Sequence, residues 1–328
     1  MNRRQVRDNR SGRSRVVETL RALALSCVVA SPLGAQSRTV QDSLRLPEVT
    51  LHYQTMGRGE PVLILSGGPG APSAYLEPVY SDVARHARAI LLDQRGTGRS
   101  ALKRIDSTTL TLRLAVDDIE AVRKRLGVEK LTLLGHSWGG QLAMAYTVAY
   151  PTRVHALILV GSAGAGPGLG KEISEKLKAR LTPLDVESIR YWAAQLGNPR
   201  LNSQALMAMK RFNTYAYMSD RRRVDERLKY VTEAELYSQT GALMTRDLSR
   251  IGFDLRKDLA RIGHDAKRYP AVAIFYGEVD AIGEVSAPQI NAAFPTATIR
   301  VFPRSGHYPW IEAPDAFYGQ LNTFIAGL

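Results

Sequence analysis

Apolar positions follow two different rhythms along this chain. From residue 49 to 164, short apolar and β-branched runs at 49–55, 62–65, 89–92, 131–134 and 156–160 are bounded by turn residues. Such runs are the pattern of strands buried on both faces. Between them lie stretches of helical character at 73–87, 110–126 and 141–150. In the second stretch Leu112, Leu114, Ile119, Val122 and Leu126 fall near one face, and Gly127 is the stop signal. Strand–helix alternation with continuously apolar strands predicts an α/β fold: a mostly parallel sheet covered on both faces.

The rhythm changes at about residue 165. From there to 268 no strand pattern occurs, and charged, helix-forming segments follow one another at 171–181, 186–196, 204–212, 224–237 and 248–260. Strand patterning resumes at 271–276 and 298–302, and a last helix is expected over 315–326, behind Pro314. The expected organisation is a catalytic α/β domain made of 36–164 and 269–328, interrupted by a helical cap over 165–268. No internal repeat or low-complexity segment is present.

Charge alters the reading of the amino terminus. The 328 residues carry 44 Lys and Arg against 31 Asp and Glu, a net charge of +13, which by itself suggests a polyanionic partner. Residues 1–35 hold seven arginines against Asp8 and Glu18, hence +5 of that total. A largely apolar run follows from Leu20, and the small residues Gly34 and Ala35 end it. A basic region, a short apolar region and a small-residue cut site describe a secretory signal peptide over 1–35, so an exported protein, periplasmic or secreted, is expected. The remainder, at +8, has no aromatic-interleaved basic stripe, so no nucleic-acid partner is expected. No integral membrane segment is expected after cleavage. Cys27, the one cysteine, falls in the leader, which excludes an intramolecular disulfide and a thiol nucleophile in the mature chain.

The chemistry concentrates at loops that follow strands. Gly135-His136-Ser137-Trp138-Gly139 lies between the expected strand 131–134 and a helix, the strand–turn–helix context that G-x-S-x-G requires. The turn lifts the Ser137 hydroxyl clear of the sheet, so Ser137 is the expected nucleophile. Serine needs a base. Of six histidines, His307 lies in Ser305-Gly306-His307-Tyr308, just after the strand at 298–302. That is the sheet edge where open α/β folds bind ligands. His52, His86 and His155 read as structural or surface residues, His264 lies at the end of the insertion, and His136 points elsewhere. Asp280, in the loop after 271–276, is the expected partner of the imidazole, with Glu278 and Glu284 as competitors. Ser66-Gly67-Gly68-Pro69-Gly70 follows another strand and supplies Gly68 as one oxyanion-hole donor, with the Trp138 N–H as the other. The order Ser137, Asp280, His307 is the chain order of α/β-hydrolases.

Gly67-Gly68-Pro69-Gly70, Asp93-Gln94-Arg95-Gly96-Thr97-Gly98-Arg99-Ser100 and the segment Gly135–Gly140 together resemble the prolyl iminopeptidase (prolyl aminopeptidase) group of the α/β-hydrolase fold, over about residues 45–328. The resemblance implies an acyl-enzyme serine peptidase that releases an N-terminal residue, proline favoured. It makes 93–100 a structural loop beside the oxyanion region. Two positions depart from the group: Ser66 stands where a histidine is usual, and Trp192 is followed by Ala193 where the cap usually carries Trp-Glu. Asp225, Glu226, Glu233 and Glu235 are the cap acids available for a cationic amine, and Glu226 and Glu233 are the candidate substrate-binding pair.

Other chemistries lack their residues. Gly164–Lys171 is no phosphate loop, because Ala165 and Glu172 stand at the motif's first-glycine and Ser/Thr positions. No dinucleotide fingerprint and no histidine pair with zinc spacing occurs, so no cofactor or metal is expected. The alternatives are an esterase or lactonase of small acyl substrates and, further off, a non-catalytic ligand-binding module. In each case the expected partner is a small molecule or short peptide; oligomeric state is not legible.

Overall fold

The computed structural model describes residues 38–236, 238–263 and 270–328, except for the side chains of 233 and 234. The expected leader with Cys27, and His264, lie outside the described residues. Eight strands form one sheet: β1 (Val40–Arg45), β2 (Thr50–Met56), β3 (Pro61–Leu65), β4 (Arg88–Asp93), β5 (Leu131–His136), β6 (Val154–Val160), β7 (Ala271–Gly277) and β8 (Thr298–Phe302). Their spatial order is β1-β2-β4-β3-β5-β6-β7-β8. β1 and β2 pair antiparallel with their neighbours, and the other pairings are parallel. Every residue of β5 is buried, because helices cover both faces of the sheet there.

Helices α2 (Leu112–Leu126), α3 (Trp138–Ala149), α10 (Arg256–Gly263) and α11 (Ala281–Ala293) cover one face. Helices α1 (Glu77–Val83), α12 (Pro309–Glu312) and α13 (Pro314–Ala326) cover the other. The sheet thus separates two apolar clusters, one around Leu63, Leu133 and Leu157, the other around Ile64, Leu134 and Ile158. Successive residues of one strand serve opposite clusters, as the two-residue strand period demands. Fully burying an aliphatic side chain such as Ile119 or Val122 of α2 contributes about 1.5–3 kcal/mol.

Between β6 and β7 run seven helices among the described residues: α4 (Gly170–Ala179), α5 (Pro183–Ala194), α6 (Asn202–Tyr215), α7 (Val224–Leu228), α8 (Glu233–Leu236), α9 (Thr240–Ile251) and α10. Two helices expected from periodicity are broken. The expected 224–237 helix is interrupted at 229–232. The expected 248–260 helix splits at Gly252, which takes a left-handed φ of 62°. The insertion is tied to the sheet domain by Asp247, whose carboxylate accepts the Leu112 N–H at 2.8 Å where α2 begins, and by Thr240, whose hydroxyl donates to the Gly96 carbonyl at 2.9 Å. Among the described residues no helix is long and apolar enough to cross a membrane.

Candidate active site

Ser137 occupies the turn between β5 and α3 with φ 56° and ψ −118°. A non-glycine residue in that region carries about 1–3 kcal/mol of backbone strain. The strain is held by packing: the Ser137 N–H donates to the Val160 carbonyl at 3.0 Å, and its own carbonyl accepts from Gly140 at 3.0 Å and Ala163 at 3.2 Å. A Cβ on Gly139 would collide with the Leu65 carbonyl oxygen, so the helix can approach β3 only with glycine there. Helix α3 begins at Trp138, so that residue's N–H has no partner within the helix and faces outward from its start.

His307 and Asp280 come together across 27 residues of sequence. His307 Nδ1 lies 3.0 Å from both Asp280 oxygens, and both residues are buried, at 3% and 1% exposure. Asp280 also caps α11 by accepting the Ile282 N–H at 3.0 Å, so its carboxylate is fixed from two sides. Nδ1 is therefore occupied and Nε2 is the ring nitrogen left for another group. The competitors are engaged elsewhere: Glu278 accepts the Arg304 N–H at 2.9 Å, and Glu284 pairs with Lys176 at 2.9 Å.

Gly68 lines the same cavity as Ser137 and His307. The loop that carries it is tied to the Ser137 turn through Gln94. The Trp138 indole donates to Gln94 Oε1 at 3.0 Å, while Gln94 Nε2 donates to the Ser66 carbonyl at 2.8 Å and the Ser66 hydroxyl at 3.1 Å. The neighbouring residues of 93–100 also order backbone. Asp93 accepts from the Ser73 hydroxyl at 2.7 Å and from the Arg99 N–H at 3.0 Å, and Arg95 forks onto Asp118 at 2.6 and 2.7 Å.

His136 does not simply point away, as the sequence suggested. Its Nε2 lies 3.0 Å from the His307 carbonyl, which can only accept, so Nε2 carries the proton. Its Nδ1 then accepts from the Tyr75 hydroxyl at 2.7 Å, and the Tyr75 oxygen accepts the Gly67 N–H at 2.6 Å. Burial, reinforced by neighbouring His307, pushes His136 well below the ordinary imidazole range, so it stays neutral. Burial also pushes the Tyr75 hydroxyl above its ordinary range, so it keeps its proton. One directed relay thus connects the oxyanion loop to the main chain of His307.

A cavity of about 250 Å³ brings together Gly67, Gly68, Ser137 and His307. From the insertion, Lys210, Asn213, Thr214, Tyr217 and Arg227 join its wall. Glu226 is not on that wall; it forks onto Arg223 at 2.6 and 2.9 Å. Glu233 opens α8, and its side chain lies outside the described residues. Asp225 pairs with Arg211. Sequence reading singled out neither Tyr75 nor Arg227, which no local motif marks. It also passed over Gly161, where a Cβ would stand 2.7 Å from Asp280 Oδ2 and 2.9 Å from His307 Nδ1. A small residue directly after an apolar strand was the available signal.

Comparison with known proteins bears on the family and the fold. The family model described as alpha/beta hydrolase fold matches residues 60–314. A proline iminopeptidase of Heyndrickxia coagulans is 25% identical over 276 residues, covering 83% of this chain and 93% of the relative. A proline iminopeptidase of Xanthomonas citri is 39% identical over 126 residues, but the match covers only 37% of this chain and 39% of that relative. Among solved structures, a proline iminopeptidase-related protein of Thermus thermophilus superposes with a TM-score of 0.65 at 25% identity, covering 89% of this chain and 98% of that one. The sheet order, the strained serine turn and a family match over residues 60–314 lead to one assignment: this chain belongs to the alpha/beta hydrolase fold family.

Proposed function

We propose that the protein is a serine hydrolase that works through an acyl-enzyme. The observation that carries this reading is the Asp280–His307 pair at 3.0 Å, opening into the same cavity as Ser137 on its strained turn. In this reading Ser137 Oγ attacks the substrate carbonyl while His307 Nε2 takes the hydroxyl proton. Asp280 holds the imidazole in the required tautomer and stabilises its cation. The Gly68 and Trp138 amides donate to the developing oxyanion, in a buried site where such donors act strongly. His307 returns the proton to the leaving group, then activates water to release the acyl group. Tyr75 and His136 are positioning residues: their relay fixes Gly67 and the His307 main chain.

The similar proline iminopeptidases make release of an N-terminal residue, proline first, the leading amide reaction to test. A second reading, ester hydrolysis, is favoured by the charges of the cavity. No described carboxylate lines its wall to receive an ammonium group, whereas Lys210 and Arg227 do line it. A fluorophosphonate probe tests the common mechanism: it should label wild type and leave Ser137→Ala unlabelled, and an unlabelled wild type sinks it. Turnover of Pro-β-naphthylamide set against p-nitrophenyl butyrate separates the two substrate readings.

A further inference from the structure

One side of the cavity is charged in a way that acyl transfer alone does not use. Arg227 on α7 is 3% exposed, lines the cavity, and its Nε and Nη1 find no hydrogen-bond partner among the described residues. Its guanidinium lies 4.4 Å from the centre of the Tyr75 ring and 5.6 Å from that of Tyr308. Those rings flank the cation, and the Tyr308 hydroxyl is a hydrogen-bonding neighbour of it, which leaves Nε and Nη1 without an acceptor. Glu235 is the described carboxylate nearest to both cations, 3.7 Å from Arg227 Nη2 and 3.0 Å from Lys210 Nζ. It stands outside the cavity wall and is shared between two positive charges. The wall beside Ser137 is therefore positive on balance among the described side chains.

A buried guanidinium with idle donors is unfavourable unless something supplies acceptors. A carboxylate matches the guanidinium fork in two parallel hydrogen bonds. Tyr75 sets where that carboxylate would lie. Its hydroxyl accepts the Gly67 amide, while its ring carries Arg227, so the cation sits one side chain away from the oxyanion loop. At about 250 Å³ the cavity is smaller than an ordinary ligand pocket, about 300–1,000 Å³, so one short acyl group spans it.

We propose that Arg227, assisted by Lys210, binds a carboxylate on the acyl part of the substrate, which makes hemi-esters of short dicarboxylic acids the preferred class. This rests on the acyl-enzyme reading of Ser137. In the reaction, the Ser137 oxygen bonds to the ester carbonyl carbon and the ester C–O bond breaks. The alcohol leaves with the proton that His307 took from Ser137. Water then cleaves the acyl-serine to the free diacid and regenerates the hydroxyl, and the remote carboxylate is unchanged throughout.

The test compares monomethyl succinate with its neutral isostere methyl 4-methylpentanoate, hydrolysis being followed by proton NMR. Wild type should show a kcat/KM at least 10-fold higher for the anionic ester. Arg227→Met should lower that ratio at least 30-fold, and Arg227→Lys should restore part of it. Should Arg227→Met fail to fold, Lys210→Gln, at a half-exposed position, should still lower the ratio 3-fold or more. Fluorophosphonate labelling of Ser137 is measured in parallel. No labelling of wild type removes the acyl-enzyme reading itself. Labelling with no preference for the hemi-ester, with no turnover of it, or with a ratio indifferent to Arg227 and Lys210, overturns the carboxylate assignment alone.

Discussion

The loops at the carboxyl ends of β3, β5, β6 and β7 and the helices between β6 and β7 follow opposite rules of construction. At the loops, backbone packs directly on neighbouring backbone or, at Gly161, on the Asp280 and His307 side chains. Gly139 lies against Leu65, Gly161 against the Asp280–His307 pair, and Ser137 is held in a strained conformation by three main-chain hydrogen bonds. In the insertion, α4 buries none of its residues, α5 only Asp185, and α6 only Ala205 and Thr214. Its segments are joined instead by ion pairs such as Arg221–Asp185 at 2.7 Å and Arg211–Asp225 between α6 and α7. Reacting atoms need placement to a fraction of an ångström, and close-packed backbone provides it. A wall that selects substrate has looser requirements, and partly exposed side chains suffice.

The contrast can be broken most severely at the loops. Ser137→Ala should lower kcat by about 10⁴–10⁶ while the far-ultraviolet circular dichroism spectrum is unchanged. A residual rate close to wild type would remove Ser137 from the reaction. Asp280→Asn should cost about 10⁴ in kcat, because an amide favours the wrong imidazole tautomer. Gly161→Ala should lower kcat about 10²-fold by displacing that pair, since a misplacement of about 1 Å suffices. If kinetics and stability are both indifferent to the methyl group, the tight packing at Gly161 is of no consequence.

A smaller effect is expected from pH. His136 stays neutral in the native state, while in the unfolded chain it titrates near its ordinary value of about 6.5. The unfolded state therefore binds the extra proton below about pH 6.5, and stability falls there by up to about 1.4 kcal/mol per pH unit. Urea midpoints at pH 5 and pH 7 should differ in wild type and converge in His136→Gln. Equal slopes in the two proteins would mean that another group dominates. The smallest effect belongs to the insertion. Arg223→Ala and Glu226→Ala remove a half-exposed pair and should change stability by less than about 0.5 kcal/mol. They should leave kcat/KM unaltered, because neither residue lines the cavity. A marked loss of activity would show that the insertion is built more tightly than its burial implies.

The same division governs what could be read from the chain. Strands β2–β8, the place of Ser137 in the turn after β5 and the pairing of Asp280 with His307 were legible because each is announced locally, by an apolar run followed by a turn in a fixed order. The relay was not, because Tyr75 and His136 are 61 residues apart and the His307 carbonyl a further 171 away. No local pattern encodes such partners. β1 was missed for another reason. It is an edge strand with no buried residue, so it carries no apolar run. Helix α11 was passed over because Asp280 read as a loop residue, although its carboxylate is also the helix's amino-terminal cap. The breaks within the insertion were invisible to periodicity, which continues across Tyr230 and Gly252 while the backbone does not.

One hydrogen bond joins the two kinds of construction. The His307 N–H donates to the carbonyl of Tyr217 at 2.7 Å, and Tyr217 belongs to the insertion, two residues beyond α6. A displacement of that turn pulls on the main chain that carries the imidazole. Solvent exchange of this single amide therefore reports on the turn that follows α6 as well as on the loop that carries His307.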